Sequence, residues 1–237
     1  MRLPNSSTRI DEIVDGVFRI STSLPAIPGG FTFNQILIRD ELPLLFHSGM
    51  KGIFGAVRDA VATVLPPSSL RYVAFSHLEA DETGALNDWL AIAPDAQPIC
   101  SELGAMVCLS DSASRPARAL KDGERLDLGE HQVRWCDAPH LPHGLDCGFL
   151  FEERTRTLLC GDLFAHGGGD PPPITEGDIF GPSEAMRASF PYAPIRNAQA
   201  LLEKLAGLEP EALACMHGAS FRGDGASLLR ELGRALA

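Results

Sequence analysis

Apolar and polar positions change rhythm repeatedly along this chain. Residues 13–22 and 32–39 are rich in β-branched and aromatic side chains and predict strands. Residues 42–46 predict another strand, ending at His47-Ser48-Gly49. Residues 53–65 carry apolar side chains at helical spacing and are stopped by Pro66-Pro67. A strand over 70–75 runs straight into Ser76-His77, and helices follow over 85–93 and, after a short strand at 97–101, over 102–109. Strands are expected at 125–128, 132–137, 147–152, 157–160 and 212–215. The stretch 183–205 is helical with a break at 191–194, and 225–237 forms a terminal helix.

Strands therefore come in clusters separated by helices, not in strict alternation. That pattern suits two mixed sheets with helices outside. Polar residues at the strand ends then line one rim, where loops on a rigid scaffold carry chemistry. The breaker-rich run 167–173, Gly-Gly-Gly-Asp-Pro-Pro-Pro, is too short for a domain linker, so residues 1–237 are expected to form a single domain.

Composition narrows the function. Lysine and arginine total 20 against 31 acids, a net charge of −11, which argues against nucleic acid as a partner because that surface must be basic. No apolar run is long enough to span a membrane. Residues 1–11 are polar and lack the apolar core of a secretion signal, so a cytoplasmic location is expected. The six cysteines, at 100, 108, 136, 147, 160 and 215, form no Cys-x-x-Cys pair. They read as buried apolar residues in a reducing compartment.

The candidate chemistry sits at strand ends. After the strand 70–75 comes His77-Leu78-Glu79-Ala80-Asp81. Donors two residues apart do not share a helix face, but in extended chain they can converge on one point. Three further strand ends deliver the same residue types: His140 after 132–137, Asp162 after 157–160 and His217 after 212–215. A fold builds a metal site from distant parts of its chain in this way.

The order His-x-Glu-x-Asp, His, Asp, His resembles that of the metallo-β-lactamase superfamily across nearly the whole chain. The resemblance is to its di-iron branch, which holds the flavodiiron proteins and shorter oxygen-binding di-iron proteins. Zinc hydrolases of the superfamily usually have histidine where this chain has Glu79. His140-Leu141-Pro142-His143 is similar to the branch's His-Trp-Pro-Asp, and Asp162 with His166 four residues on is similar to its second acidic loop. His217-Gly218, followed by Phe221-Arg222, is similar to its closing His-Gly motif.

The resemblance implies an α/β fold, the metallo-β-lactamase αββα sandwich of two mixed β-sheets flanked by helices. It implies that His77, Glu79 and His140 hold one metal, that Asp81 and His217 hold the other, and that Asp162 bridges them. Glu82 stands where the superfamily usually has a further histidine. Glu82, His143 and His166 are candidates to stand behind the ligands: Glu82 steers them, His143 gates the pocket or donates a hydrogen bond to bound dioxygen or else lies on a surface loop, and His166 supports the ligands or fills a loop, while His47 supports a loop and His131 lies in a turn. Phe31, Phe33 and Phe164 either wall a dry pocket or fill the core.

Three carboxylates with three imidazoles form a hard, anionic donor set that suits Fe(III), so two iron ions are expected, with two zinc ions as the alternative. The function implied is a non-heme di-iron protein that binds or reduces dioxygen or nitric oxide. Whether it is an oxidoreductase, a sensor or a scavenger stays open. The alternative is a metal-dependent hydrolase of a small ester, thioester, lactone or phosphoester. The chain ends soon after His217, so no flavin is expected in it and electrons would come from an external donor. Homodimerisation is left open.

Overall fold

The computed structural model describes residues 7–24 and 26–237. The polar stretch 1–11 therefore falls partly outside the described residues.

Among the described residues, fourteen strands form two seven-stranded sheets. The first sheet contains β1 (Ser7–Val14), β2 (Val17–Ser23), β3 (Thr32–Ile38), β4 (Leu44–Phe46), β5 (Tyr72–Ala74), β6 (Gln97–Ser101) and β7 (Arg118–Leu120), in that spatial order. It is antiparallel from β1 to β4 and parallel from β4 to β7. The second sheet contains β8 (Arg125–Asp127), β9 (Gln132–Asp137), β10 (Gly148–Glu152), β11 (Thr157–Leu159), β12 (Ile174–Thr175), β13 (Ala212–Ala214) and β14 (Ser220–Arg222). Its order is β12-β14-β13-β11-β10-β9-β8.

The helices are α1 (Phe54–Val61), α2 (Ala80–Thr83), α3 (Leu86–Ile92), α4 (Ser110–Ser112, preceded by a π-turn at Gly104–Leu109), α5 (Phe180–Arg187), α6 (Ala198–Ala206) and α7 (Gly225–Ala235). Among the described residues no helix is long and apolar enough to cross a membrane.

Three apolar layers hold these parts together. Ile36, Phe46, Trp135, Leu150 and Leu159 pack between the sheets. Val57, Val61, Trp89 and Leu90 seal α1 and α3 onto the first sheet. Leu202, Leu205, Leu229 and Leu232 seal α6 and α7 onto the second. The layering is helix, sheet, sheet, helix, as the mixed strand and helix clusters predict.

Several boundaries differ from the sequence reading. The run 13–22 is two strands, because Asp15-Gly16 turns the chain, with Gly16 at φ +71°, and β1 pairs back on β2. The strands β7, β12 and β14 were not anticipated. Each is only two or three residues long and has too few positions to show a period.

Candidate metal centre

The four strand ends meet at one rim. From β5 the chain passes through Ser76 and His77 to Glu79, which is extended at φ −142°, ψ 158°, and then enters α2. Extended backbone turns His77 and Glu79 toward a common point, and His77 Nε2 lies 3.0 Å from Glu79 Oε2. Asp81 and Glu82 fall in the first turn of α2, where successive side chains diverge by about 100°. Asp81 faces His217, with Oδ2 3.4 Å from Nε2. Glu82 folds back and is buried, accepting from Ser76 N (2.9 Å), His77 N (2.8 Å) and Ser76 Oγ (2.5 Å).

Asp162 stands between the two groups. Its Oδ2 lies 3.4 Å from His143 Nε2 and 3.8 Å from His77 Nε2, while Oδ1 lies 3.3 Å from His217 Nε2. One half of the cluster is therefore His77, Glu79 and His143, the other is Asp81 and His217, and one carboxylate presents an oxygen to each.

The loop after β9 corrects the sequence reading. It brings His143, not His140, to the cluster: His143 Nε2 is 3.1 Å from Glu79 Oε2, and its ring stands edge-on to His77 at 4.5 Å between centroids. The group of donors that lie within bonding reach of one ion is His77, Glu79, His143 and Asp162. His140 is exposed, with φ +66° and its N–H bonded to Gly144 O. That turn sends the following Leu141 and Pro142 into the interior. Gly144, at φ +83°, then passes so close to His77 that a Cβ there would sit 2.8 Å from the His77 Cβ. This approach lays His143 over the site.

A signal for His143 was present in the sequence. The resemblance matched the proline of His140-Leu141-Pro142-His143, but the spacing from histidine to aspartate in His-Trp-Pro-Asp is met by His143-Gly144-Leu145-Asp146. Asp146 is fixed in the structure, with Oδ2 accepting from Leu78 N at 3.0 Å, so it ties the two loops together.

The rings are held with one nitrogen facing the cluster. His217 Nδ1 donates to Thr32 O at 2.8 Å, which leaves Nε2 pointing inward. His77 Nδ1 meets Ser76 Oγ at 3.0 Å and lies 3.3 Å from Glu82 Oε1. Such partners fix tautomer and orientation. His166 has both nitrogens committed, Nδ1 to Phe164 O and Nε2 accepting from Ala219 N, each at 2.9 Å. It packs against Gly218 (φ +85°), where a Cβ would meet its ring at 2.4 Å, so it pins the His217 loop from behind. Arg19, fully buried, donates to Gly218 O at 2.7 Å on the same loop. His47 is buried behind Glu82, with Nε2 3.3 Å from Oε1, and supports α2 from the first sheet.

Charge converges with geometry. Burial works to lower His77, but Glu82 and other neighbours outweigh it and push the ring up to about 12. Burial also opposes His217, yet Asp162 and Asp81 raise it to about 9. His143, then His77, hold Glu79 well below the usual carboxylate range. Burial pushes Asp81 upward. With only protons to balance the acids, the imidazoles take up positive charge, and a bound cation would displace those protons. Asp81 Oδ1 and Asp162 Oδ1 are buried with no hydrogen-bond partner. Buried carboxylate oxygens are costly when unpaired, so these donors fit a cation pair.

Above the cluster opens a cleft of about 540 Å³, walled by Phe31, Phe33, Met186, Phe190 and Tyr192. Phe31 stacks on His217 at 4.4 Å and Phe33 meets it edge-on at 5.2 Å. Phe164 is fully buried in the core instead. Tyr192, which sequence reading missed inside a proline-rich break, donates to Asp162 O and accepts from Phe164 N, holding the acidic loop.

The family model described as "ODP family beta lactamase" matches residues 31–218. The chain belongs to this family. Among relatives of the ODP chain, a putative diflavin flavoprotein A 1 from Thermosynechococcus vestitus is 30% identical, covering 83% of the chain and 35% of the relative. Rubredoxin-oxygen oxidoreductase from Megalodesulfovibrio gigas is 28% identical over 83% of the chain and 50% of its own length. The ODP chain thus spans half or less of these relatives. The flavodiiron core of Flv1 from Synechocystis superposes with a TM-score of 0.85 at 23% identity, covering 98% of the chain and 61% of that structure. Fragment 1–254 of a putative diflavin flavoprotein A 5 from Nostoc gives 0.83 at 18%, covering 98% and 94%. The fold is the αββα sandwich of these flavodiiron cores, and the relatives place the chain in the di-iron branch that its residues resemble.

Proposed function

We propose that this chain is a di-iron protein that binds or reduces dioxygen or nitric oxide, built as one domain. His77, Glu79 and His143 hold one iron, Asp81 and His217 hold the other, and Asp162 bridges. The observation that carries the reading is the placement of Asp162, with one carboxylate oxygen toward each group of donors. Glu79 supplies a third carboxylate, which suits Fe(III) better than a histidine-rich set would.

The iron pair, when bound, supplies the redox chemistry. The chain supplies its setting. Glu82 orients His77, Thr32 orients His217, and His166 steadies the loop that carries His217. Phe31 and Phe33 keep one wall of the cleft apolar, which favours a small uncharged molecule. The name of the relative from M. gigas points to dioxygen as acceptor and to a small redox protein as electron donor, and we extend both to this chain as proposals.

The test is metal analysis of protein purified without added metal, read with its visible spectrum and its oxygen uptake after anaerobic reduction. Two irons per chain, a visible chromophore and oxygen uptake are expected. Colourless protein holding two zinc ions, inert to oxygen but hydrolysing esters, would overturn the reading in favour of a hydrolase.

A further inference from the structure

All six cysteines are free thiols. Two of them are not scattered. Cys160 follows β11 and Cys215 follows β13, two parallel strands in which Leu159 pairs with Ala214. The residue just past the end of each strand is the cysteine, and Cys160 N donates to Ala214 O at 3.1 Å. The sulfurs lie 3.8 Å apart, and both residues are fully buried among Leu158, Leu163, Phe164 and Leu213. Backbones that leave neighbouring strands side by side, one residue past their last paired positions, are at a separation of the order that a disulfide accepts.

Their place relative to the site is the second observation. Cys160 is two residues before Asp162, and Cys215 is two residues before His217. Each sulfur is thus joined to a proposed ligand by a chain segment spanning at most about 7 Å. Both side chains are fully buried, so the pair is shut off from dissolved oxidants and from solvent thiol exchange. An oxidant that reaches it must act from the site.

We propose that Cys160 and Cys215 form a two-electron reserve for dioxygen reduction at the metal pair, a proposal that rests on the di-iron reading above. Both S–H bonds break and one Sγ–Sγ bond forms, releasing two electrons and two protons. Two ferrous ions becoming ferric release two more electrons. The four electrons, with the two thiol protons and two protons from solvent, take one dioxygen to two waters. Without the thiols only two electrons are at hand, and the product is hydrogen peroxide. The pair therefore sets the product of a first turnover when no outside donor is engaged.

The experiment loads the full chain anaerobically with ferrous iron, adds limiting dioxygen, and then quenches in denaturant with an alkylating agent. Mass spectrometry maps the disulfides, and oxygen uptake and peroxide are followed in parallel. Wild type should form a Cys160–Cys215 disulfide in step with oxygen uptake and release little peroxide. Cys215→Ala and Cys160→Ala should release about one peroxide for each dioxygen consumed. Zinc-loaded wild type given the same oxygen should keep all six thiols. Oxygen uptake with iron oxidation but no Cys160–Cys215 disulfide overturns this proposal and leaves the di-iron reading standing. The same disulfide in zinc-loaded protein also overturns it, since the metal pair would then be irrelevant. No oxygen uptake by the iron-loaded wild type overturns both.

Discussion

Strands β10 and β11 carry a buried acid–histidine cluster at each end, and the two are built in opposite ways. At the far end, Glu152 is fully buried and saturated with donors. Arg154 N and Thr155 N donate at 2.8 and 2.7 Å, the Thr155 hydroxyl donates as well, and His131 Nδ1 lies 3.0 Å away. At the rim, roughly 16 Å along the strands, Asp162 and Asp81 each keep a buried oxygen without a partner. Both ends pair acids with imidazoles, so residue type alone does not tell them apart. The difference lies in what the backbone offers. Glu152 closes the β10–β11 turn by gathering its N–H groups, and its bonding is complete. Asp162 is held by its own main chain, through Tyr192, and its carboxylate is left facing three histidines. A buried carboxylate with its donors supplied is structural, and one deprived of them is placed to receive a cation.

The largest test of that contrast is Asp162→Ala. Removing the bridge exposes two cations to each other and opens both halves of the site. Metal content should fall from two ions per chain to one or none. The metal-dependent part of thermal stability should vanish with it, about 4 kcal/mol where free metal stands a thousandfold above its Kd. The metal-free variant should melt somewhat below metal-free wild type, because Asp162 there balances the charge on His217. Two tightly bound ions in Asp162→Ala, measured after dialysis, would end the bridge assignment.

The next test separates two histidines three residues apart. His143→Ala should weaken metal binding at the Glu79 half by at least a hundredfold, beyond the about 10- to 100-fold typical of residues that only support a ligand. His140→Ala should leave metal content and oxygen uptake unchanged, because that side chain is exposed and away from the cluster. Titration with ferrous iron under anaerobic conditions reads both. The reverse ranking would mean that the loop rearranges when metal enters.

This pair also shows where the sequence was legible. His77, Asp162 and His217, which the structure gathers at one rim, could be singled out because each comes three residues after a strand, and strand ends transmit their register to the next few residues. The layers were legible because strands such as 132–137 show alternation over several positions. The loop after β9 is different. Ten residues separate β9 from β10, and two of them, His140 and Gly144, take left-handed backbone angles that no hydrophobic pattern reports. Which histidine reaches the site is decided by that turn. Glu152 was equally silent, because a carboxylate saturated by its own turn and one awaiting a cation are spelled with the same letters.

A smaller effect is expected at the saturated end. Glu152→Gln keeps size and shape but turns one acceptor oxygen into a donor facing N–H groups. A buried donor left unpaired costs about 1–3 kcal/mol. Urea denaturation of the metal-free protein should show a loss in that range, with metal content unchanged. A loss of metal in this variant would show that the two ends of the strands are coupled and that the contrast between them is too sharp.

The smallest effect concerns acid. Burial works to raise Glu152, but His131 and the Thr155 and Arg154 donors outweigh it and hold the carboxyl below its ordinary value of 4.5. A group whose folded value is depressed binds fewer protons in the native state than in the unfolded chain. Its contribution is therefore fully present above the unfolded value and is lost as pH falls through the folded one. Metal-free wild type should accordingly lose stability as pH drops below about 4.5. Glutamine does not titrate, so Glu152→Gln should start lower at neutral pH and decline less steeply over that acid window. The two curves, measured by urea denaturation in steps from neutral to acid pH, should converge toward the acid end. Parallel curves would mean that Glu152 titrates alike in folded and unfolded chains. The hydrogen bonds at its carboxylate would then not be what distinguishes this end of the strands from the rim.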